Sequence, residues 1–398
     1  MKSKKFVLAG LVLLAITGLL PLAGCKNDSV PETPAAKLVS ISVTTLPTRT
    51  VYSVGQSFDP TGMVVTATYN AGEPKDVTSL ATTDFDFSSA GVKTVTVRYS
   101  EDGIGVSDQF EIRVLPTILT EGNWTYVEFG EWPQNIKDAS VTVNESEGKQ
   151  MGMFTYYLGD DDNYYVKHSD EYYKVEPIKW RVLTTSYKQP PEGGNALLLA
   201  ESILTGGIPY YHFDRGEGGM VWSGLRIIGG KEIYPYNYEH SQIRAWLNGL
   251  SYQSKESEGA TQSPKDEYKN AGFLQTAFTE SAQKLIELTS VDNSAASTTD
   301  KIFLLSQQEA TNSEYGFGAY SEKDSTRIRV TTDYAKATGA EQESRPGYGG
   351  WWWLRSPGYL DADQARYINN DGIADRNNNV IVTDGGVVPA LSISLGGN

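Results

Sequence analysis

Val92-Lys93-Thr94-Val95-Thr96-Val97-Arg98-Tyr99 places Val95, Val97 and Tyr99 on one face. A period of two marks a strand with one buried side. Similar runs lie on either side of it. Val39, Ile41 and Val43 alternate with Ser40, Ser42 and Thr44, and Val64 to Tyr69 forms another strand that ends at the Asn70-Ala71-Gly72 turn. Phe110, Ile112 and Val114 close the series, with Gly and Pro between the runs. Several short alternating strands separated by turn residues predict an all-β sandwich over residues 38–116.

Within that segment Leu46-Pro47-Thr48, Tyr52-Ser53-Val54-Gly55-Gln56, Phe58, Thr61 to Tyr69, Asp76-Val77-Thr78 and Ala90 to Val97 follow one another in order. On these strings the segment resembles the group 3 bacterial immunoglobulin-like domains. The resemblance implies a spacer or adhesive module and brings no catalytic residue with it.

Upstream, Lys2, Lys4 and Lys5 precede an apolar run from Phe6 to Leu22, and Leu22-Ala23-Gly24-Cys25 contains the only cysteine of the chain. A basic start, a short apolar run and small residues before a cut mark a processed signal. The run is short for a span of about 20 residues and Pro21 interrupts it. The pattern resembles the lipobox of bacterial lipoproteins. It implies a signal peptide over 1–24, cleavage before Cys25, a diacylglycerol thioether on the Cys25 sulfur and an acylated new N-terminus. Several acyl chains anchor far more stably than one. Residues 25–37, with Pro31 and Pro34, read as a semi-extended tether. Lys26 follows the cysteine, which leaves outer-membrane or surface display open.

Lipid on Cys25 would leave the mature chain with no thiol, disulfide or cysteine metal site. The chain carries 34 basic and 49 acidic residues, and loss of the three leader lysines takes its net charge from −15 to −18. Such a chain repels nucleic acid and anionic lipid, so the expected membrane contact is the lipid anchor alone. Histidine, the commonest general acid–base residue, occurs only as His168, His212 and His240. The 24 tyrosines and 8 tryptophans suit either extracellular contact surfaces or large aromatic cores.

Residues 120–398 read as a larger α+β domain. Val127–Gly130, Ile178–Leu183, Ala196–Ala200 and Ile302–Leu305 are expected strands. Ser241–Asn248, with Ile243, Trp246 and Leu247 on one face and Gly249 as its stop, is an expected helix. Thr279–Leu288 is expected as a second helix, and Ser306-Gln307-Gln308-Glu309 as a capping box that opens a third. Residues 138–150 and 251–270 read as exposed insertions.

Phe129 to Gln134, Pro177 to Leu183, Ser241 to Asn248, Ala277-Phe278-Thr279, Lys301 to Ala310, Thr331 to Ala335, Trp352 to Gly358 and Gly386 to Leu391 also stand in order. They resemble a domain-of-unknown-function family of bacterial surface lipoproteins, the Trp-Leu-Arg-Ser-Pro string being the most specific element. Val388 stands where that family usually has Arg. A Trp-rich strand at 351–355, an irregular polar region at 358–380 and a final apolar strand at 387–395 resemble the C-type-lectin fold of formylglycine-generating enzymes and retroelement-diversified variable proteins. That layout implies ligand binding through displayed loops. The enzymatic branch holds copper on paired cysteines, which this chain lacks.

The candidate ligand-binding residues are Tyr359, Asp361, Arg366, Tyr367, Asn369, Asn370, Asp371, Asn377 and Asn378. Asn-Asp-Gly is first a turn signal, since these residues tolerate positive φ, and the turn and binding readings both stand. Asparagine codons are also what adenine-targeted diversification would alter. Either Trp352 or the pair Trp351 and Trp353 faces the core, and Arg355 reads as a partner for an acid or for backbone carbonyls. Asp160-Asp161-Asp162-Asn163 offers calcium oxygens but lacks EF-hand spacing, so a solvated acidic turn is the expectation and no cofactor is assigned. The function expected is non-enzymatic ligand binding or adhesion, to protein or glycan, by a lipid-anchored envelope protein presenting loops 206–240 and 358–382. The alternatives are an envelope polysaccharide- or peptide-acting enzyme, which needs two carboxylates or a nucleophile–base pair converging in a cleft, and a structural envelope protein.

Overall fold

The computed structural model describes residues 35–188, 195–211, 226–228, 231–252, 268–293, 297–359 and 363–394. The expected signal, Cys25, His212, Asp361, most of the 251–270 insertion and parts of the 206–240 loop lie outside the described residues. No helix among the described residues is long and apolar enough to cross a membrane.

The N-terminal module has seven strands, β1 (Leu38–Thr45), β2 (Val51–Ser53), β3 (Val64–Tyr69), β4 (Lys75–Asp76), β5 (Thr82–Asp84), β6 (Gly91–Glu101) and β7 (Ile104–Leu115). They form two sheets, β1-β3-β4 and β2-β7-β6-β5. The alternation of β6 is realised with Val95, Val97 and Tyr99 in the core. Asp102 and Gly103, both at positive φ, close the β6–β7 hairpin, as a two-residue turn between twisted strands requires. In β1 the outcome differs. Register shifts after Leu38, so Leu38 and Ile41 are buried, Val39 is exposed and Val43 is only half-buried. A bulge resets which side chains face inward, and simple alternation does not reveal it.

The larger part is built on a nine-stranded sheet. Its members are β8 (Thr117–Glu121), β9 (Trp124–Ile136), β10 (Val143–Met151), β11 (Phe154–Gly159), β12 (Tyr164–His168), β13 (Glu171–Tyr187), β14 (Asn195–Ala200), β15 (Ile302–Phe303) and, near the C-terminus, Ala390–Ser394. The 17-residue β13 organises it, pairing with β12, β14 and β9. β14 is buried on both faces and sits between β13 and the last strand, which explains its unbroken apolar sequence. The stretch read as an exposed insertion at 138–150 is exposed, but from Val143 it is the edge strand β10.

A separate meander pairs β16 (Trp352–Pro357), β17 (Gln364–Ile368) and β18 (Arg376–Asn379), before the last strand, β19 (Ala390–Ser394). Within the region expected to be irregular at 358–380, Gln364–Ile368 and Arg376–Asn379 are therefore regular strand. Its asparagines hid a strand, since Asn is depleted in strands. Among the described residues α-helix is confined to α1 (Gln242–Asn248), α2 (Phe273–Ala277), α3 (Glu280–Gln283), α4 (Gln307–Ala310) and α5 (Asp333–Ala337), beside four single 3-10 turns. The described residues are mostly β, 47% strand and 12% helix, so the expected α+β balance tilts to β.

Trp132, Trp180, Trp352 and Trp353 are fully buried, and Trp351 nearly so. Both alternatives for the tryptophan run give way: the strand is buried on both of its faces at Trp352–Leu354. Three indole N–H groups reach backbone carbonyls: Trp132 to Leu204 at 2.9 Å, Trp180 to Phe129 at 2.7 Å and Trp352 to Arg327 at 3.1 Å. Val388 is also fully buried.

The two modules touch. Ser281 Oγ donates to the Val92 carbonyl at 2.9 Å, Arg113 Nη2 to the Ser394 carbonyl at 2.7 Å, and Lys284 pairs with Glu111 at 2.7 Å.

Candidate functional site

One buried arginine defines the neighbourhood of the sequence-predicted residues. Arg327, fully buried, donates to the carbonyls of Gly372, Ala310, Gly318, Ala319 and Glu322 at 2.6–3.3 Å. It thereby ties the loop carrying Tyr320 and Lys323 to the Asn369–Ile373 turn. Gly372 (φ +81°) completes that turn, and a Cβ there would meet the Asp324 carbonyl oxygen at 2.0 Å. The turn reading of Asn-Asp-Gly therefore holds. Within it Asn369 Nδ2 donates to Asp371 at 2.9 Å.

Asp371 also faces Lys323 at 3.4 Å. Burial alone would raise its carboxyl, but the Asn369 amide, the Ile373 N–H and Lys323 outweigh this and hold it below the ordinary carboxylate range. Lys323 donates to the Tyr348 hydroxyl at 3.1 Å, and the Arg345 guanidinium lies 4.2 Å from the Tyr348 ring centre. The Tyr320 carbonyl accepts from Ala374, beside Asp375, which pairs with Arg366 at 3.0 Å. The Arg366 guanidinium lies 4.9 Å from the Tyr359 ring centre. Tyr359 is 66% exposed and Tyr320 53%. The result is a patch of exposed rings, cations and amides across the meander and the loop beside it.

The structure does not put all the sequence-predicted residues on one face. Arg366 lies opposite Asn377, so these share a face, whereas Tyr367 lies opposite Arg376 and Asn378 opposite Ala365 on the other. Tyr367 packs 5.0 Å from Trp351 as part of the core margin. Asn370 gives its carbonyl to Gly349 N, and the Asn377 side-chain oxygen is buried without a hydrogen-bond partner. Tyr320, Lys323, Arg345 and Tyr348 were missed. The turn-rich Arg345-Pro346-Gly347-Tyr348-Gly349-Gly350 run was the available signal for two of them.

Other polar clusters are structural. Arg355 donates to Glu309, to the Leu304 carbonyl at 2.6 Å and to the Asp292 carbonyl at 3.0 Å, as read from the sequence. Glu309 also accepts from Ser306 N and from Tyr187 Oη. Burial would raise this carboxyl, but Arg355 and these donors hold it below the ordinary range. In the acidic turn, Asp161 accepts from Asn163 and Tyr165, and Asp160 from Thr142 N. Among the described residues no group of three or more His, Cys, Asp or Glu side chains is arranged to hold a metal ion.

The model of the family described as a domain of unknown function (DUF6273) matches residues 193–395, about half of the chain. The chain belongs to the DUF6273 family. The bacterial Ig-like domain (group 3) matches residues 45–114, and such domains are typical of bacterial surface proteins. No curated protein matches the chain. Inside the DUF6273 match, the recurring strings converge on Asp300–Glu309. Arg244 of α1 holds Asp300 with bonds of 2.7–3.0 Å, and Asn248 caps both the N–H and the C=O of Ile302. Arg355 and Ser356 of β16 clasp Leu304, Leu305 and Gln307. Those strings thus mark a scaffold hub, and the exposed patch is carried on its far segments. The DUF6273 sheet also draws on β8 to β13, which precede residue 193.

Proposed function

We propose that the protein is a lipid-anchored component of the bacterial cell envelope that binds a protein or glycan by surface contact, without catalysis. The thioether on Cys25 would hold it at the membrane, and the Ig-like module would space the DUF6273 region from the bilayer. In this reading the meander β16–β18 is the display sheet of a C-type-lectin-like arrangement. The observation that carries the proposal is Tyr359, exposed and laid against Arg366, with Asp375 fixing the guanidinium. A ring of this kind offers contact area at low entropy cost, and a sugar face or a protein side chain can use it. The Ig-like module supports surface placement.

The test is a glycan and protein array probed with the full chain, alongside mass spectrometry of the Cys25 peptide from envelope fractions. Saturable, reproducible binding and a diacylated cysteine are expected. A free thiol would remove the anchor, and an array without any binder would remove the ligand.

A further inference from the structure

A cleft of about 380 Å³ lies where the Ig-like module meets the larger part. It falls in the size range of small-molecule sites, which favour domain junctions. Val54 and Ala90 line it from the Ig-like side, and Phe129, Phe278 and Met151 from the other. The Phe129 and Phe278 rings are 4.9 Å apart. Glu128 and Glu131 are the charged residues of the lining, and no Lys, Arg or His joins them. Neither carboxylate has an ion-pair partner among the described residues. Glu131 is exposed as a residue, yet the protein packed around its carboxyl pushes its pKa up. Behind it stands Tyr156, within electrostatic reach, with its hydroxyl buried and lacking any hydrogen-bond partner.

A crowded carboxylate without a cation gains from any ligand that brings one. The apolar floor of Phe129, Phe278 and Met151 calls for an apolar body. We propose that this cleft binds a small organic cation, an ammonium group on an apolar body, with the ammonium at Glu131 and Glu128 and the body against Phe129, Phe278 and Met151. The inference is independent of the patch around Tyr359.

The test is calorimetric titration of the full chain with hexylammonium chloride, with hexanol and sodium hexanoate as matched probes. Saturable one-to-one binding of hexylammonium alone is expected, at least tenfold weaker in Glu131→Gln. Ser88→Phe, a change at an exposed residue on the Ig-like side of the cleft, should weaken it similarly by filling the space. Melting curves of both variants check that they fold. Phosphatidylethanolamine vesicles added as competitor separate the sources: displacement assigns a lipid headgroup, and no displacement assigns a soluble amine. Equal binding of hexanol or hexanoate, unchanged affinity in both variants, or no saturation would overturn the proposal.

Discussion

At the scale of single residues, the buried arginines do most to shape the C-terminal half. Arg327 satisfies five carbonyls that no regular ladder reaches, and a lysine could not reproduce that planar fork. Its role could not be read beforehand, since nothing in Thr326-Arg327-Ile328-Arg329 says which carbonyls will lack partners. Arg355 was legible because an arginine inside an apolar strand needs partners wherever it goes. Replacing it (Arg355→Ala) strands Glu309 in the interior, and we expect a loss of about 3–5 kcal/mol in urea unfolding at pH 7. The pH dependence follows from Glu309 being held below its ordinary value in the folded chain. The unfolded chain binds that proton more tightly, so this stabilisation is present above the ordinary carboxylate pKa and lost as pH falls through the lowered one. The gap between wild type and variant should therefore narrow below about pH 4. A constant gap from pH 7 to pH 3 would contradict the pairing.

At the scale of elements, helix starts were more legible than helix ends. Ser306 caps as expected, and Ser241 and Thr279, the first residues of the other two expected helices, are N-caps too, each accepting from a backbone N–H of its first turn. Gly249 stops α1 in the left-handed conformation. The helix expected over Thr279–Leu288 ends at Gln283. Its apolar positions Ala282, Leu285 and Ile286 are buried as the spacing implied. The chain nevertheless leaves the helix, because Glu287 N bonds to Ser392 and Ile286 bridges to Ile393 on β19. A partner about a hundred residues away decided this, beyond the reach of any local pattern. The same holds for β18, where an all-polar Arg-Asn-Asn-Asn segment is a strand because β17 lies beside it. Asn248 joins two elements, donating to Ile302 O at 2.8 Å and accepting from Ile302 N at 3.1 Å. Asn248→Ala should lower the urea midpoint by the equivalent of about 2–4 kcal/mol with little change in slope. A midpoint within error of wild type would show that the join is dispensable.

At the scale of the whole molecule, composition and alternation indicated a sandwich followed by a larger mixed region, and two hydrophobic cores are found. The packing of one against the other was not legible, since it depends on Gly91, Val92, Ser281 and Arg113 meeting from distant parts of the chain. Gly91 has no room for a side chain: a Cβ would sit 2.1 Å from Ser281 Oγ and 3.0 Å from the Ser281 carbonyl carbon. Gly91→Leu should therefore loosen the junction, seen as faster proteolysis near residues 115–117 and a cost of about 1–3 kcal/mol. Cleavage at the wild-type rate would mean the modules are not held there. The central claim is that the exposed Tyr359 ring, backed by the largely buried Arg366 guanidinium, is the working surface. Its most direct test compares the full chain with Tyr359→Ala/Arg366→Ala against ligands recovered from the array, with circular dichroism melting as a fold control. The account predicts at least a tenfold loss of affinity at unchanged melting temperature. Undiminished binding by a folded double variant would contradict it.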